Sequence, residues 1–531
     1  MYQSLFAQTG NLSWFVIKRN KLRFLIWLLA LTALTAGTAA SFLGLYPSEA
    51  ERQALTTAMI NPATTAMVGR GYGLDNYTFG AMLGHQMLAM TALTAGIMNI
   101  LFVSRNTRGD EEDGKTETLL ALPIGRTSSL TSVITSALLL NVVLVLAMTG
   151  ALVMLDIESI NLEGSLLYSA AIGLCGFFFA AGTAFSAQLA QGAKTATGLA
   201  FGLLMTAYAL RAAGDVNENA LSWFSPIGWA QRTEVFVSNI WWPLWLLAGS
   251  SFFVAGSALY INAARDTGAG LFSASKGRKE AGFLLQGTGG LIWRLQRTGI
   301  FFWTAALFLL GITYGSVLTD TEAFFESTNV MQGVVSQTSD LTLSEQFLPV
   351  LMSVMALIGT IPVVMAALKI KAEEKKDRMQ HILGRSVSRI ALLAHYAGFS
   401  IALSIVMMLA TAGGMALAID QESLSVSAVF ASALLYLPAF WVMTGLAVLL
   451  IGFFPKYTFV IWLYLGYSFI AVYFGEIFQF PEWVGELTPF GWVSSYPVED
   501  INPMPAIGLM LISLIIGAAG FVGFIRRDTN G

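Results

Sequence analysis

Long uncharged runs are the feature that most constrains how this chain can fold. A helix that crosses the hydrocarbon core of a bilayer needs about 20 mainly apolar residues, and twelve such runs can be counted in the 531 residues. Charged residues make up only 11% of the chain, whereas soluble domains contain about 25%. These observations predict an all-α integral membrane protein. The predicted spans are residues 24–46, 79–104, 127–153, 165–190, 195–212, 243–264, 299–319, 347–368, 390–418, 424–453, 457–475 and 504–525.

Lysine and arginine in the short loops predict the orientation of the spans, because these residues are retained on the cytoplasmic side. With the N-terminus in the cytoplasm, all but four of the 29 Lys and Arg residues lie on that side. We therefore predict a multi-pass protein of the bacterial plasma membrane with both termini in the cytoplasm. The four exceptions are Arg52, Arg70, Arg211 and Arg232.

Two basic, amphipathic segments precede the first span of each half, at residues 10–23 and 291–298. Tryptophan next to clustered cations is typical of a helix that lies in the membrane interface and binds lipid headgroups. A simple positively charged end of the following span is the alternative. Membrane lipid is a predicted partner in either case.

The chain has few residues suited to metal binding or catalysis. Cys175 is the single cysteine, which excludes an intramolecular disulfide framework and a cysteine-built metal site. The three histidines, His85, His381 and His395, are not clustered with acidic residues. We therefore predict no metal site, no catalytic site and no nucleic-acid partner.

Two dense charge clusters repeat at an offset of 263 residues. The first charged loop, residues 105–126, and the second charged loop, residues 369–389, each lie between two uncharged runs. The aligned pairs are Glu111 with Glu374, Leu119 with Ile382, Leu120 with Leu383, and Arg126 with Arg389. A charged loop that occurs twice predicts a docking surface for a cytoplasmic partner.

The repeat extends to the other end of the spans. Residues 225–229 (SPIGW) and 488–492 (TPFGW) align at the same offset and combine helix-breaking Pro and Gly with interfacial Trp. The repeat predicts two parallel six-helix units, residues 1–264 and 299–531, joined by a cytoplasmic linker and interfacial segment at 265–298. We interpret the Pro-Gly-Trp elements as an outer gate, and ordinary loops held by tryptophan are the alternative. The predicted gate residues are Pro226, Gly228, Trp229, Pro489, Gly491 and Trp492.

Residues 109–116 (GDEEDGKT) match the pattern of a phosphate-binding loop, but we reject that reading. The four variable positions are all acidic and would repel a nucleotide, and a membrane span rather than a buried strand precedes them. A short helix with Glu111, Glu112 and Asp113 at its N-terminal end is the better prediction, because the helix dipole favours anions there. It would present an acidic and apolar surface to a protein.

At this point a family resemblance appears. The pattern E-E-x-G-x-x-E-x-L-L-x-x-P-x-x-R between the second and third of six spans resembles the coupling-helix region of ABC-2-type transporter permeases. Two such units in one chain resemble the fused permeases of the polyketide-antibiotic exporter group, of the tetronasin-resistance type. The resemblance implies that a separate cytoplasmic ABC ATPase, in two copies, binds ATP and Mg²⁺ and receives the two loops. This chain itself would need no cofactor.

The resemblance carries over at the first loop more fully than at the second. Gln380 stands opposite Glu117, Asp377 opposite Gly114 and Ser386 opposite Pro123, which implies two unequal contacts with the ATPase. The residues implied to couple the chain to the ATPase are Glu111, Glu112, Gly114, Glu117, Leu119, Leu120, Pro123, Arg126, Glu374, Gln380, Ile382, Leu383 and Arg389.

The resulting hypothesis is a permease, not itself an enzyme, that exports hydrophobic or amphiphilic small molecules such as antibiotics. Export of a lipid or glycan is the alternative within this class. An ion-coupled carrier is a second alternative, and it needs ionisable groups within the spans. The spans contain His85 and, near a boundary, His395, and no well-buried Asp or Glu is predicted in them. A membrane enzyme is a third, with no clustered catalytic residues to support it.

Overall fold

A computed structural model describes residues 5–527, except 61, 267–269, 272–281, 283–284, 286, 328–341, 376–377, 385–386, 420–423 and 474–479. All regular secondary structure in these residues is helical. The chain divides into two compact units, unit 1 at Met1–Lys276 and unit 2 at Gly277–Gly531. Residues 267–269, 272–281, 283–284 and 286 of the predicted linker between the halves lie outside the described residues.

Unit 1 consists of six long helices and several short ones. A π-helical turn, Arg105–Gly109, continues the second long helix towards the first charged loop, and a 3₁₀ turn at Ala220–Phe224 precedes the first Pro-Gly-Trp element. The α-helices are α1 Thr9–Leu45, α2 Glu49–Met59, α3 Pro62–Val68, α4 Phe79–Ser104, α5 Asp110–Glu112, α6 Lys115–Leu120, α7 Ser128–Val153, α8 Leu162–Leu189, α9 Ala193–Val216, α10 Pro226–Gln231 and α11 Trp242–Ala264.

The long helices of unit 2 follow the same order, with two consecutive helices, α16 and α17, in the place of α8. A 3₁₀ turn at Pro489–Trp492 occupies the place of α10. The α-helices are α12 Thr288–Ser327, α13 Leu343–Glu374, α14 Arg378–Leu383, α15 Arg389–Ala416, α16 Val426–Leu435, α17 Leu437–Phe453, α18 Val460–Tyr473, α19 Glu482–Glu486 and α20 Pro503–Arg526.

Eleven helices of the described chain are long and apolar enough to cross a membrane, where the sequence predicts twelve. The remaining predicted span, 457–475, corresponds to α18, which has 14 residues and ends at the edge of the described chain. The span predicted at 424–453 is interrupted between α16 and α17, just before Pro438. Proline lacks the N–H that a continuous helix requires, which accounts for the break.

The first helix of each unit is longer than predicted. α1 has 37 residues and α12 has 40, so that each extends about 55–60 Å at 1.5 Å per residue. The basic segments 10–23 and 291–298 are therefore continuous with the spans that follow them, and the prediction of separate interfacial helices is wrong. The amphipathic segments contain no proline, so no residue in them blocks the helix from continuing.

Corresponding helices pack together in the two units. In unit 1, α1 packs on α7, and α8 packs on both α4 and α11. In unit 2, α12 packs on α15, and α17 packs on both α13 and α20. The sequence repeat is therefore accompanied by a repeat of the helix–helix contacts.

A buried polar pair holds three helices of unit 1 together. Asn99 of α4 and Asn141 of α7 exchange side-chain amide hydrogen bonds of 3.1 and 2.8 Å. Gly176 of α8 faces this pair, and a Cβ atom there would lie 2.6 Å from the Asn141 oxygen. Small residues and interhelical amide bonds are the usual means of close helix packing in a membrane, where apolar burial gives little advantage.

Candidate functional site

The first charged loop begins as a continuation of α4. The helix runs through the π-helical turn into α5 and stops at Gly114, whose φ of 72° lies in the left-handed region that glycine adopts without strain. α6 then starts at Lys115. Glu111, Glu112 and Asp113 were predicted at the N-terminal end of the loop helix, but they lie at the end of the preceding helix, so that prediction is wrong. Gly114 separates the two helices. Glu117 is the acidic residue in the first turn of α6.

Asp110 and Lys115 hold the two sides of this turn together. The Lys115 ammonium donates to Asp110 Oδ1 at 3.2 Å and to Asp113 Oδ2 at 2.7 Å, and Asp110 also pairs with Arg19 of α1. The hydrogen bonds to Asp113 and Asp110 raise the pKa of Lys115 above its ordinary value. Lys115, the lysine that a phosphate-binding loop would use to bind phosphate, is thus paired with acidic side chains of the same loop.

Glu111 lies inside the unit, between two arginines. Its carboxylate accepts from Arg108 Nη1 at 3.0 Å and from Arg265 Nη2 at 3.2 Å, and Arg108 is only 1% exposed. Arg108 Nε also donates to the Ala187 carbonyl at the end of α8, at 2.6 Å. Glu111 is therefore placed to tie the loop to the ends of α8 and α11.

Glu112 and Arg126 make two further connections. Glu112 Oε1 accepts from the backbone N–H of Ala193 at 2.7 Å, at the first residue of α9, where the helix dipole favours an anion. Arg126 donates to the Arg265 carbonyl at 2.7 Å. Arg265, just after α11, therefore contacts the start of the loop through its side chain and the end of the loop through its backbone.

The tip of the loop is the part left open to solvent. Glu117 and Pro123 are exposed, whereas Leu119 and Leu120 are half-buried. Leu122 is 55% exposed and is not among the residues predicted from the sequence; its position beside Pro123 was the available signal. An acidic and apolar tip thus projects from a loop whose base is held by ion pairs.

The second charged loop repeats these contacts with different residues. Arg378 pairs with Glu373 at 3.4 Å, as Lys115 pairs with Asp110 in the first loop. Arg527 pairs with Glu374, as Arg265 pairs with Glu111. Arg389 donates to the Arg527 carbonyl at 3.0 Å, as Arg126 donates to the Arg265 carbonyl. We call each set of Glu, loop Arg and terminal Arg an arginine clamp: Glu111, Arg126 and Arg265 in unit 1, and Glu374, Arg389 and Arg527 in unit 2. Gln380 is exposed on α14, and Ile382 and Leu383 are half-buried.

The two loops also differ. Lys375 stands at the position that aligns with Glu112. Unit 2 therefore has a positive charge at the position from which Glu112 bonds to the start of α9 in unit 1. Asp377 and Ser386, predicted to mark the departure from the family pattern, lie outside the described residues.

Arg265 and Arg527 are not among the site residues predicted from the sequence. Their separation is 262 residues rather than 263, so an ungapped alignment does not pair them. The available signal was position, because each arginine directly follows the last helix of its unit.

The two Pro-Gly-Trp elements are held by corresponding hydrogen bonds. Trp229 Nε1 donates to the Trp223 carbonyl at 2.6 Å, and Trp492 Nε1 donates to the Glu486 carbonyl at 2.7 Å. The residue before each proline caps the turn: Ser225 Oγ and Thr488 Oγ1 each accept from the glycine N–H at 3.3 Å. Pro226, Gly228, Pro489 and Phe490 are buried, while Gly491 and Trp492 are exposed. The six predicted gate residues therefore form two small capped turns of the same design.

Charged and polar residues lie buried beside the first of these turns. α9 extends beyond its predicted end at 212 to Val216, and it carries buried Arg211 and Asp215, 0% and 7% exposed. The prediction that the spans hold no buried Asp is therefore wrong. Asp215 interacts with the Ser222 side chain, the Arg70 backbone and the charges of Arg211 and Arg232, each of which favours its carboxylate form although burial opposes it.

His85 is a structural residue in this unit. Its Nδ1 lies 3.0 Å from the Tyr77 hydroxyl, and its Nε2 lies 3.2 Å from the Gly69 carbonyl. Both ring nitrogens are therefore engaged within the protein.

Comparison with known proteins places the chain in a family. The chain is 31% identical over 535 residues to the protein named "Multidrug efflux system permease protein Rv1217c" of Mycobacterium tuberculosis, and the match covers 99% of this chain and 96% of that relative. A family model described as "Multidrug efflux system permease Rv1217c, C-terminal domain" matches residues 15–260 and 285–525, one segment in each unit. This multi-pass membrane protein therefore belongs to the family of the multidrug efflux system permease Rv1217c.

Proposed function

We propose that the chain is the permease subunit of an ATP-driven ABC exporter that moves hydrophobic or amphiphilic small molecules out of the cell. Its relative in Mycobacterium tuberculosis is named a multidrug efflux system permease, which supports the substrate class. ATP would be bound and hydrolysed by a separate cytoplasmic ATPase. The permease would contribute no catalytic residue.

The observation that carries this proposal is the repeated arginine clamp. In both units the clamp holds the base of a charged loop against the end of the last helix, while the tip stays accessible. A rigidly held base with an exposed acidic and apolar tip is suited to receive a partner and to transmit its movement to the helices. Glu111, which is paired with arginine, and Glu112, which is bonded to the start of α9, would position the loop. Glu117, Leu122 and Pro123 would contact the ATPase.

The two docking contacts are proposed to be unequal. Glu117 offers a charge to the partner and Gln380, at the aligned position, does not. An ATPase dimer would therefore grip unit 1 through a charged contact and unit 2 through neutral and apolar ones.

The test is Glu117→Ala in the permease assembled with its ATPase. We expect drug-stimulated ATP hydrolysis and drug export to fall about tenfold, the equivalent of about 1.4 kcal/mol in the docking contact. Gln380→Ala should have a smaller effect, because no charge is lost.

The matched control is Glu158→Ala, an exposed glutamate in the connection between α7 and α8, at the other end of α7 from the loop. It should leave both activities at the wild-type level. Unchanged export and ATPase stimulation in Glu117→Ala would refute the docking assignment, as would equal losses in both variants.

A further inference from the structure

A groove in unit 1 has features that the proposed docking role leaves unexplained. It has a volume of about 430 Å³ and lies between α1, the end of α4 and the start of α9. Arg23 and Arg105 line it together with the aromatic side chains of Phe24, Trp27 and Phe102. Among the lining residues that the structure describes, none is acidic.

The two arginines of the groove lack the carboxylates that neutralise the neighbouring cations. Arg19, one turn before Arg23, pairs with Asp110, whereas Arg23 donates to the neutral amide of Asn20 at 3.2 Å. In the described part of the chain, no carboxylate lies within ion-pair distance of Arg23 or Arg105. Two like charges facing one groove repel each other, and a bound anion would relieve that repulsion.

The surroundings of Arg23 are apolar rather than aqueous in character. Leu22, Leu25 and Ile26 on the same helix are 66%, 52% and 57% exposed. On a membrane-spanning helix such exposed apolar side chains face lipid. Arg23 thus lies at the level where hydrocarbon meets headgroups, on the side that the lysine and arginine distribution predicts to be cytoplasmic.

We propose that this groove binds one anionic phospholipid, with Arg23 and Arg105 on the phosphate and an acyl chain along Phe24, Trp27 and Phe102. Arginine matches the geometry of phosphate through paired hydrogen bonds. Basic pockets between membrane helices on the cytoplasmic side recognise anionic headgroups for this reason. The assignment does not depend on the proposed ATPase partner.

A lipid in this position would support the first charged loop. Arg105 and Asn106 belong to the π-helical turn that leads into the loop, and Asn106 is bonded to Arg19 and to Asn20 of α1. A phosphate shared by Arg23 and Arg105 would add a third connection between α1 and this turn. The lipid would thus act as a structural part of unit 1.

The experiment is native mass spectrometry of the full chain in detergent, titrated separately with phosphatidylglycerol and phosphatidylcholine. The double variant Arg23→Gln with Arg105→Gln should weaken phosphatidylglycerol binding by roughly tenfold or more and leave phosphatidylcholine binding unchanged. Arg23→Lys with Arg105→Lys keeps the charges but not the paired geometry and should weaken binding to an intermediate degree. The lysine variant also serves if the glutamine variant does not fold.

The matched control is Lys18→Gln with Lys21→Gln, which removes two exposed charges from the same helix outside the groove. It should change phosphatidylglycerol binding by less than about twofold. Equal losses in both double variants would reduce the effect to general surface charge and overturn the proposal. Unchanged binding in the groove variants would overturn it too, as would an anionic drug that binds there while phosphatidylglycerol does not.

Discussion

Gly228 and Gly491 allow the two Pro-Gly-Trp turns to close on themselves. A Cβ atom at Gly228 would lie 2.2 Å from the Ser222 carbonyl oxygen, and one at Gly491 would lie 2.2 Å from the Gly485 carbonyl oxygen. The obstructing atom is backbone in both cases, so no side chain can move aside. The same close approach recurs at the same repeat position in both units.

Gly228→Ala and Gly491→Ala should each destabilise the protein by about 1–3 kcal/mol, because the added methyl group forces the turn apart. The measurement is the thermal unfolding midpoint of each variant purified in detergent. Gly198→Ala in α9 is the control, since nothing lies within 4 Å of a Cβ there. It should be neutral or stabilising, as alanine favours a helix more than glycine does. Equal behaviour of all three variants would contradict the described turns.

At the scale of elements, the arginine clamp joins each charged loop to the last helix of its unit. In unit 1 the side chains of Arg265 and Glu111 are only 8% and 13% exposed, so water solvates each of them poorly. Removing Glu111 takes one carboxylate away from two poorly solvated arginines, Arg108 and Arg265, which costs more than an exposed ion pair contributes. Removing Arg265 leaves Glu111 paired with Arg108 but still loses the contact with the end of α11.

A double-mutant cycle with Arg265→Gln and Glu111→Gln should give a coupling energy of about 1–3 kcal/mol. Arg265→Gln should therefore lower the unfolding midpoint more in the wild-type background than in Glu111→Gln. The corresponding cycle with Arg527→Gln and Glu374→Gln should give coupling of the same sign. Arg294→Gln, an exposed cation on α12, should have little effect in either background. Strictly additive losses would show that the clamp residues act independently.

The sequence predicts elements better than it predicts the clamp. The bounds of α4 follow from local hydropathy and coincide with the predicted span at 79–104. The predicted span at 195–212 ends four residues before α9 does, because Asp215 and its polar neighbours lower the local hydropathy. The groups that interact with Asp215 are brought there by the fold. Arg265 meets Glu111 across 154 residues of sequence. A contact between residues so far apart depends on how the helices pack. The periodicity of a single segment carries no information about that packing.

At the scale of the whole molecule, the repeat predicts that both charged loops lie on one side of the membrane. Cys175 is fully buried and is the single cysteine, so Cys175→Ala provides a background for single-cysteine reporters. In intact cells, an impermeant maleimide should label Glu158→Cys and Glu486→Cys and leave Asp113→Cys and Gln380→Cys unlabelled. After membrane disruption all four should react, since all four positions are exposed. Labelling of positions 113 and 380 from opposite sides would rule out parallel units.

The terminal arginines of the two clamps are 262 residues apart rather than 263, which indicates where the two halves could change in length. Trp229 and Trp492 are 263 residues apart, but Pro243 and Pro505, in the first turns of α11 and α20, are already 262 apart, as are Arg265 and Arg527. A residue gained or lost inside the last helix would have rotated everything after it by about 100°, swinging the arginine away from its glutamate. The difference of one residue lies instead in the connection before that helix, where it does not change the direction in which the terminal arginine points. Duplicated units of this kind can therefore tolerate insertions upstream of α11 and α20 far more readily than within them.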